Sequence, residues 1–567
     1  MMNCVLTLAL LAPAWGCTNI LVTPEASTSH DAMIAYNADS ASLYGSLYHY
    51  PASSSSSDDG RDVYDWDTGA FLGTIPEAQE THNVVGNCNG VGLCIGETTF
   101  GGIEALSSQP GAKVDYGSLI YLTLQRASTA REAIRTMDHL MQTYGYASEG
   151  ESFSIADRSE VWVNEVIGKG EYEMGSVWVA RRIPAGHVCS HANQARITTF
   201  DWNDPDTAMY AEDVLSFAKR VGLVDADQQP HSFSFSDTYD PVTFEGARFC
   251  EGRVWSFFST VMGPEFEDQY ADYAAGKNLT NRMPLFVKPA EKLSLTDVFS
   301  SMRNHFEGSA LAFDSDVGSG PFNLPYRWRP LTWDYQGSTY VNERAIGTQQ
   351  TGWNFVASIR GSLPTPLQAV LWFGADDSAT TVRVPFYASA TVLPDSFVGK
   401  GPQDGVVPPM MSFSLDSAFY VTNLVSNWCY TRWSEMYPVV LAEIEAREAA
   451  YITALSEADS RALAHLGAGD REAAISVING LGMQLGDAFT KEWFGFFGQL
   501  FVRFRDGYDI TPDASDPECG CAVGGNGYNQ DTYKRIADET GEQYLEPEQL
   551  QSGKFAAKSK LKLKSML

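Results

Sequence analysis

The hydrophobic and polar positions around Cys17 form two apolar runs with a polar interruption. Residues 17–23 (CTNILVT) and 32–38 (AMIAYNA) are β-rich, whereas residues 24–31 (PEASTSHD) carry turn-forming side chains. This pattern predicts a strand, a turn and a second strand. It places Cys17 at a strand end.

A pair of consecutive helices is predicted further along the chain. Residues 116–128 place leucines at helical spacing, and residues 130–145 repeat apolar side chains at steps of three and four. Thr129 stands directly before the second run, where its hydroxyl can cap the helix.

The other apolar runs are short and typical of strands. They begin with VGLCIGETTFGG (91–102), which ends in a glycine turn, and continue with SFSIAD, EVWVNEVIG, SVWVARRI, NFVASIR, AVLWFGA and TVRVPFY. Many strands in adjacent hairpins, with helices inserted in pairs, predict an α+β layered domain rather than a doubly wound parallel sheet.

The pattern changes again from about Val439. The sequence to about Arg505 has the spacing of amphipathic helices, and a polar stretch with a basic end closes the chain. We therefore expect a helical C-terminal region followed by a loose tail.

Composition and charge narrow the class of protein. Hydrophobic residues make up 44% of the 567 residues and aromatic residues 12%, so most of the chain must fold. A formal charge of −31 would repel nucleic acid and anionic membranes, and we expect no nucleic-acid partner. The simplest explanation of the charge is a solubilising acidic surface, with which a cationic or zwitterionic substrate is compatible.

The first sixteen residues have the pattern of a removable leader. MMNCVLTLALLAPAWG is a short apolar run that ends in Ala14 and Gly16, small residues of the kind that leader peptidases accept, although it lacks Lys and Arg. Its removal would make Cys17 the first residue. The run is shorter than the about 20 apolar residues that span a bilayer, and no later segment is better. We therefore expect a protein without a stable membrane anchor, secreted or held in a lysosomal or vacuolar lumen.

The remaining cysteines do not form a recognisable framework. Nine cysteines stand at 4, 17, 88, 94, 189, 250, 429, 519 and 521, without the CxxC pairs of a zinc site. Without Cys4 and Cys17, seven remain, an odd number that argues against a complete disulfide framework. The sequence leaves open whether one or two disulfide bridges form.

Two other patterns resemble metal sites, but neither is complete. His187 and His191 are four residues apart, but they follow a strand-like run and lack the HExxH glutamate. Asp314 and Asp316 precede Gly318 as in a calcium loop, but the later glutamate of an EF-hand is absent. We therefore expect no metal.

A cysteine at a chain start supplies two reactive groups. Its thiol and α-amine have reference pKa values of about 8.5 and about 7.7–8.0, so the amine can take the thiol proton. Such a residue needs no separate histidine, only an oxyanion hole and groups that orient the amine. If the leader stays on, Cys17 is instead an ordinary buried cysteine.

The opening CTNILVTPEASTSHDAMIAYNADS resembles the start of the N-terminal-nucleophile cysteine dipeptidases of the dipeptidase A type, relatives of penicillin V acylase and bile salt hydrolase. The likeness covers most of the chain in the family's order, through the stretches 86–102, 115–134, 160–170, 177–197, 313–331 and 343–356. It implies a four-layer αββα sandwich, no cofactor, and hydrolysis of dipeptides or similar small amides.

The resemblance also implies roles for single residues. Cys17 is the implied nucleophile and Asp39 the carboxylate near the liberated amine. Asn193 matches an asparagine that binds the oxyanion, and Arg253 an arginine beside the nucleophile. The alternatives are a turn-shaping role for Asp39, an amide that satisfies backbone groups for Asn193, and a solvated ion pair for Arg253.

Three further positions bear on the substrate and the oxyanion. Thr99 falls where the acylases place an oxyanion asparagine, so a backbone N–H would supply the second donor. Tyr36 stands where many family members carry arginine, which replaces a cation by a hydroxyl and an aromatic face. Asn37 is the third candidate, with turn formation as its alternative.

These expectations divide the chain into four parts. They are a leader (1–16), a catalytic domain (17–435), a helical region packed on it (436–510) and a polar, partly disordered tail (511–567). Whether copies of the chain form a homo-oligomer stays open.

The leading hypothesis is a dipeptidase that acts through a thioester on Cys17. One rival is an N-acyl amide hydrolase with the same chemistry. The other is a secreted binding protein without turnover, with or without a lipid on Cys17, although Trp15 is unlike the small residue that a lipidation signal prefers.

Overall fold

The computed structural model describes residues 16–55, 60–107, 109–399 and 409–546. Apart from Gly16, the predicted leader lies outside the described residues, as does the end of the predicted tail from residue 547.

The described strands follow the apolar runs of the sequence. They are β1 (Thr18–Val22), β2 (Ala32–Asp39), β3 (His49–Tyr50), β4 (Gly60–Tyr64), β5 (Phe71–Pro76), β6 (Val84–Val85), β7 (Cys88–Asn89), β8 (Cys94–Gly101), β9 (Gly150–Ala156), β10 (Val161–Gly168), β11 (Ser176–Arg182), β12 (Val188–His191), β13 (Ala208–Tyr210), β14 (Phe286–Val287), β15 (Thr332–Tyr335), β16 (Ser338–Val341), β17 (Thr351–Ile359), β18 (Ala369–Ala375), β19 (Val384–Tyr387), β20 (Asp509–Pro512) and β21 (Cys521–Gly524).

The described helices include the predicted pair and the long C-terminal elements. They are α1 (Tyr116–Arg126), α2 (Ala130–Tyr144), α3 (Val214–Arg220), α4 (Phe235–Tyr239), α5 (Gly252–Met262), α6 (Pro264–Ala274), α7 (Leu295–Ser301), α8 (Thr365–Gln368), α9 (Ala418–Cys429), α10 (Trp433–Gly467), α11 (Arg471–Phe504) and α12 (Gln530–Thr540).

Two large antiparallel sheets form the centre of the fold. The first has the strand order β14-β12-β1-β2-β17-β18-β19, and the second the order β13-β11-β10-β9-β8-β7-β6-β3. β1 and β2 form the predicted hairpin, in which Asn19 pairs with Tyr36. Because side chains alternate across a strand, this register brings Cys17 and Tyr36 to one face of the first sheet.

The two sheets contact each other through buried polar side chains. Asn19 Nδ2 donates to the Glu97 carbonyl at 2.6 Å. His191 lies 2.7 Å from the hydroxyls of Thr98 and Ser154, through Nδ1 and Nε2 respectively. Burial lowers the pKa of His191 to about 3, so its neutral ring is a structural link.

Helices cover the outer side of both sheets. α1 and α2 pack on the second sheet, and Thr129 Oγ1 accepts a hydrogen bond from the Glu132 N–H at 3.3 Å, which confirms the predicted cap. α9, α10 and α11 pack on the first sheet. The predicted α+β class is thus confirmed, with antiparallel sheets and long C-terminal helices.

A buried ion pair joins the C-terminal helices to the core. Glu448 on α10 accepts a hydrogen bond from Arg303 at 2.6 Å and lies 3.7 Å from Arg383. All three side chains are buried. α10 is therefore part of the same hydrophobic and ionic core as the sheets.

The region after α11 contains ordered elements as far as it is described. β20 and β21 form a hairpin, and α12 follows it.

Disulfides join Cys88 to Cys94 and Cys519 to Cys521. Among the described cysteines, the free thiols are those of Cys17, Cys189, Cys250 and Cys429.

The described part of the chain has neither a membrane-spanning helix nor a cluster of metal-binding side chains. None of the described helices is long and apolar enough to cross a membrane. Within the same residues, no group of three or more His, Cys, Asp or Glu side chains could hold a metal ion.

Candidate active site

Cys17 lies at the start of β1, and only 5% of its surface is exposed. Its Sγ is 3.4 Å from Tyr36 Oη on the neighbouring strand. Burial raises the pKa of the thiol well above its usual value, and the nearby charges of Glu97 and Asp39 act in the same direction. The thiol is therefore protonated at neutral pH, and a reaction at Sγ requires a base.

Arg253 fixes the backbone around Cys17. It lies in the first turn of α5, directly after a π-helical turn (Gly246–Glu251), and is fully buried. Its three guanidinium nitrogens all donate hydrogen bonds, at 2.7 to 3.0 Å, to the carbonyls of Gly16, Cys17, Ala192 and Phe249, to Thr18 Oγ1 and to Asn193 Oδ1. Arg253 therefore ties the start of β1 to the segment after β12.

Asn193 presents a side-chain amide whose orientation is fixed. Its backbone has φ of 65°, in the left-handed region that asparagine tolerates better than most residues. Arg253 donates to its Oδ1, so its Nδ2 faces the second sheet and donates to the Thr99 carbonyl at 2.5 Å. The amide nitrogen has a second N–H, which can donate to a developing negative charge.

Asp39 lies at the end of β2, beside the residue that precedes Cys17. Its carbonyl accepts a hydrogen bond from Gly16 N at 3.1 Å, and its Oδ1 accepts one from Thr351 Oγ1 at 2.6 Å. Among the described residues its Oδ2 has no hydrogen-bond partner. Burial raises the pKa of this carboxyl group to about 7, against the opposing charge of Arg344.

Arg344 fills the space beside Gly16. A Cβ atom placed on Gly16 would lie 1.1 Å from Arg344 Nη2, so the described backbone leaves no room for a larger residue at position 16. Burial lowers the pKa of Arg344 to about 9. Arg344 and Arg329 line one small pocket. We call Arg253, Arg329 and Arg344 the basic flank of Cys17.

Two buried carboxyl groups lie on the other side of the thiol. Tyr36 Oη donates to Glu97 Oε1, and Thr99 Oγ1 donates to Glu151 Oε1 at 2.6 Å. The two carboxyl groups also hydrogen-bond to each other, which requires that one of them is protonated. Burial raises the pKa of both groups. We call Glu97 and Glu151 the acidic flank of Cys17.

An aromatic pocket opens onto the acidic flank. Glu97 lines it together with the aromatic side chains of Tyr36, Tyr48, Tyr50, Trp66, Tyr116, Tyr121 and Trp353. Tyr36 packs edge-on against Trp353, with ring centroids 6.3 Å apart. Outside the pocket lining, Asp67 accepts a hydrogen bond from Tyr116 Oη at 3.0 Å, and burial raises the pKa of Asp67 to about 8.

The structure brings most of the predicted site residues together. Cys17, Tyr36, Asn193 and Arg253 form one connected hydrogen-bonded group with the backbone of Thr99. The hydroxyl of Thr99 is directed to Glu151.

Asn37 has different surroundings. Its Nδ2 donates to the carbonyls of Met302 and Ile346 and to Ser378 Oγ, at 2.9 to 3.1 Å. Because neighbouring residues of a strand point to opposite faces, its side chain is directed away from the face that carries Tyr36. The amide of Asn37 is thus used for packing, and it does not reach the thiol.

Sequence reasoning missed Glu97, Glu151 and Arg344. The signal for Glu97 was a charged residue inside the otherwise apolar strand VGLCIGETTFGG, since a buried carboxyl group without a sequence-local partner often marks a functional site. Arg344 carried no such signal, because the residue that it contacts lies at the far end of the sequence.

The sequence model of peptidase family C69 matches residues 16–445. Similar curated proteins include a probable dipeptidase of Latilactobacillus sakei, 25% identical over 55% of this chain and 58% of that protein. A probable dipeptidase of Salmonella dublin is 24% identical over 67% of this chain and 83% of that protein. Dipeptidase A of Lactobacillus helveticus is 22% identical over 49% and 51%. The chain thus spans little more than half of the first and third of these relatives.

Proposed function

This chain belongs to peptidase family C69, and from that premise we propose that it is a cysteine dipeptidase whose nucleophile is Cys17 as the first residue of the processed chain. The observation that carries the proposal is that Arg253 donates hydrogen bonds to both the Cys17 carbonyl and Asn193 Oδ1, which joins the nucleophile residue and an oriented amide. A nucleophile and a fixed amide donor at one strand end are what acyl transfer requires.

The α-amine of Cys17 is the base in this mechanism. It takes the thiol proton as Sγ attacks the peptide carbonyl, and the resulting ammonium gives that proton to the leaving nitrogen when the peptide bond breaks. The products of this half are a thioester on Cys17 and a free amino acid. Water then attacks the thioester, its proton passes through the amine to the departing sulfur, and the second amino acid leaves.

The surrounding residues support this assignment of roles. The second N–H of Asn193 is suited to donate to the oxyanion, and the buried Oδ2 of Asp39 is suited to hold the ammonium of Cys17 beside the vacated position 16. Arg253 acts as a positioning residue, since it contacts the carbonyl of Cys17 and the amide of Asn193.

We assign the two facing sheets and their outer helices to the four-layer αββα sandwich of the N-terminal-nucleophile hydrolases. The order of the first sheet supports this assignment, because β1 and β2 lie at its centre and present Cys17 at a strand end. We also propose that the leader directs the chain to a secretory or lysosome-like lumen, on the basis of its apolar run and small terminal residues.

The test compares wild type with Cys17→Ser and Cys17→Ala after mass spectrometry has established each N-terminus. We expect wild type to hydrolyse dipeptides in the presence of a chelator and both variants to lose activity by a factor of about 10³ or more. Cys429→Ala, which removes a buried thiol from α9, is the matched control and keeps full activity. Undiminished turnover by Cys17→Ala, or wild-type activity that the chelator abolishes, would refute the mechanism.

A further inference from the structure

The segment that carries Asn193 is largely buried but belongs to no helix or strand. It follows β12 directly, and residues 195–197 are all buried. A buried N–H group in such a segment has no partner on a neighbouring strand, so another group must accept its hydrogen bond. The three consecutive N–H groups of residues 195–197 donate to the side chains of two carboxyl groups, Asp240 and Glu165.

Asp240 holds the residues that come immediately after Asn193. Its Oδ2 accepts hydrogen bonds from Ala195 N at 2.8 Å and from Gln194 Nε2 at 2.6 Å. Gln194 Nε2 also donates to the Asp240 carbonyl at 2.8 Å. Glu165, fully buried on β10, accepts the next two N–H groups at 2.5 to 3.1 Å. Of the two carboxyl groups, Asp240 therefore contacts the residues closer to the proposed oxyanion donor.

Asn193 is thus held on both sides along the chain. Before it, Arg253 donates to the Ala192 carbonyl at 3.0 Å and to Asn193 Oδ1 at 2.8 Å. After it, Asp240 binds the two following residues. The φ of 65° at Asn193 is unfavourable for a residue with a side chain and persists only where the surroundings enforce it. Arg253 and Asp240 are the two anchors that enforce it.

We propose that Asp240 is a positioning residue for the oxyanion donor: it holds the turn at Asn193 in the conformation that directs the Asn193 amide to the reacting carbonyl oxygen. This inference rests on the proposed dipeptidase function. It assigns to Asp240 an effect on kcat that acts through Asn193 rather than through contact with the substrate.

Asp240 is itself attached to the second sheet. It follows α4 directly, and the carbonyl of the preceding Tyr239 accepts a hydrogen bond from Ile103 N, just after β8, at 3.0 Å. Tyr239 is fully buried, and its hydroxyl donates to a backbone carbonyl of α3 at 2.6 Å. β8 also carries Thr99, whose carbonyl accepts from Asn193 Nδ2. Asp240 and the amide that it positions are therefore fixed relative to the same strand, as a precise site requires.

The first test is a double-mutant cycle between Asp240→Ala and Asn193→Gly. We expect Asp240→Ala alone to lower kcat for a dipeptide roughly 10- to 100-fold with little change in KM, since a small displacement of a catalytic group has effects of this size. In the Asn193→Gly background the same substitution should lower kcat by less than about 3-fold, because the amide through which it acts is absent. A purely structural role would lower kcat by the same factor in both backgrounds.

Two further variants make the cycle specific. Asp240→Asn keeps an acceptor, because both side-chain hydrogen bonds use Oδ2 and the amide oxygen can take its place. Burial raises the pKa of Asp240 to about 8, so a neutral group is a close substitute, and this variant should retain most of the wild-type kcat. Asp201→Ala removes an exposed carboxyl group that accepts the Asn203 N–H at 2.9 Å, and it should leave kcat unchanged.

Gln194→Met replaces Asp240→Ala in the cycle if the latter does not fold. It removes the contacts of Gln194 with Asp240 and keeps the size of the side chain. We expect kcat to fall about 3- to 10-fold, again only where the Asn193 amide is present. Equal factors in both backgrounds would overturn the positioning role while leaving the dipeptidase function standing.

Crystal structures of wild type and of Asp240→Ala, or of Gln194→Met, separate the two proposals without turnover. In the variant we expect the Asn193 amide to lose its hydrogen bond to the Thr99 carbonyl. If wild type hydrolyses no dipeptide but the amide moves in this way, the dipeptidase function fails and the positioning of the amide by Asp240 stands. An amide that keeps its place in the variant overturns the positioning role, whatever the enzyme hydrolyses.

Discussion

The two flanks of Cys17 are both buried and both charged, but they differ in how their polar atoms are used. On the basic flank, every nitrogen of the Arg253 guanidinium group donates to a backbone or side-chain oxygen. On the acidic flank, the Glu97 and Glu151 carboxyl groups hydrogen-bond to each other, and a hydroxyl group donates to one oxygen of each.

This difference distinguishes a scaffold from a pair of groups that holds a proton. A fully hydrogen-bonded guanidinium group cannot accept a new ligand without the loss of an existing contact, so Arg253 serves to hold the chain. A hydrogen bond between two carboxyl groups requires a proton on one of them, so the acidic flank holds a proton beside the nucleophile.

The largest effect should come from breaking the basic flank. Arg253→Met removes the hydrogen bonds that join Cys17, Ala192 and Asn193, and leaves buried carbonyls without donors. We expect the free energy of unfolding to fall by about 3–5 kcal/mol and dipeptide hydrolysis to be lost. Denaturant titration measures the first and a dipeptide assay the second. Arg505→Met, which removes an exposed arginine paired with the exposed Asp506, should cost far less. Similar losses in both variants would contradict the scaffold role.

A smaller effect should follow when the scaffold is kept and only the amide that it holds is removed. Asn193→Gly deletes the side chain without strain, because glycine readily adopts the positive φ at this position. We expect kcat to fall about 10²- to 10³-fold with little change in KM, as for the loss of an oxyanion donor. Asn323→Gly, at another positive φ, is the control and should leave kcat unchanged. A change confined to KM in Asn193→Gly would assign the amide to substrate binding.

The smallest effect concerns the pH dependence of stability and involves buried carboxyl groups outside the two flanks. Burial raises the pKa of Asp39 and Glu165 to about 7 and of Asp67 and Asp240 to about 8. The folded state therefore binds these protons more tightly than the unfolded state, so the stability that they provide is complete below about pH 4 and is lost as pH rises through 7 and 8. On the basic flank, burial lowers the pKa of Arg344 only to about 9, above this range.

We expect the melting temperature to be lower at pH 8 than at pH 5 by about 2 °C or more, as measured by scanning calorimetry. Asp67→Asn should make this dependence shallower, because it removes one of the titrating groups. A melting temperature that rises between pH 5 and pH 8 would contradict the expected direction.

The elements around the site could be predicted from the sequence because their signals are local. The apolar alternation of β1 and β2 and the hydroxyl of Thr129 before α2 each depend on neighbours within a few residues. Cys17 could be selected because a leader pattern and a resemblance coincide at one residue. Asn37 could not be placed correctly by proximity to Tyr36, because adjacent residues of a strand face opposite ways.

The charged partners of the site could not be predicted, because each contact joins distant parts of the chain. Arg344 reaches Gly16 across more than half of the sequence, and Glu97 meets Tyr36 only where the two sheets face each other. These residue types were visible in the sequence. The packing of the two sheets determines which buried charged groups lie next to each other.

The ion pair between Glu448 on α10 and Arg303 has a consequence for shortened forms of the gene product. A protein chain that ended before residue 448 would lack the carboxylate that pairs with Arg303 and Arg383. The folded state would then lose several kcal/mol of stability for each unpaired buried arginine. Such an isoform would be a substrate for cellular quality control rather than a smaller version of the enzyme.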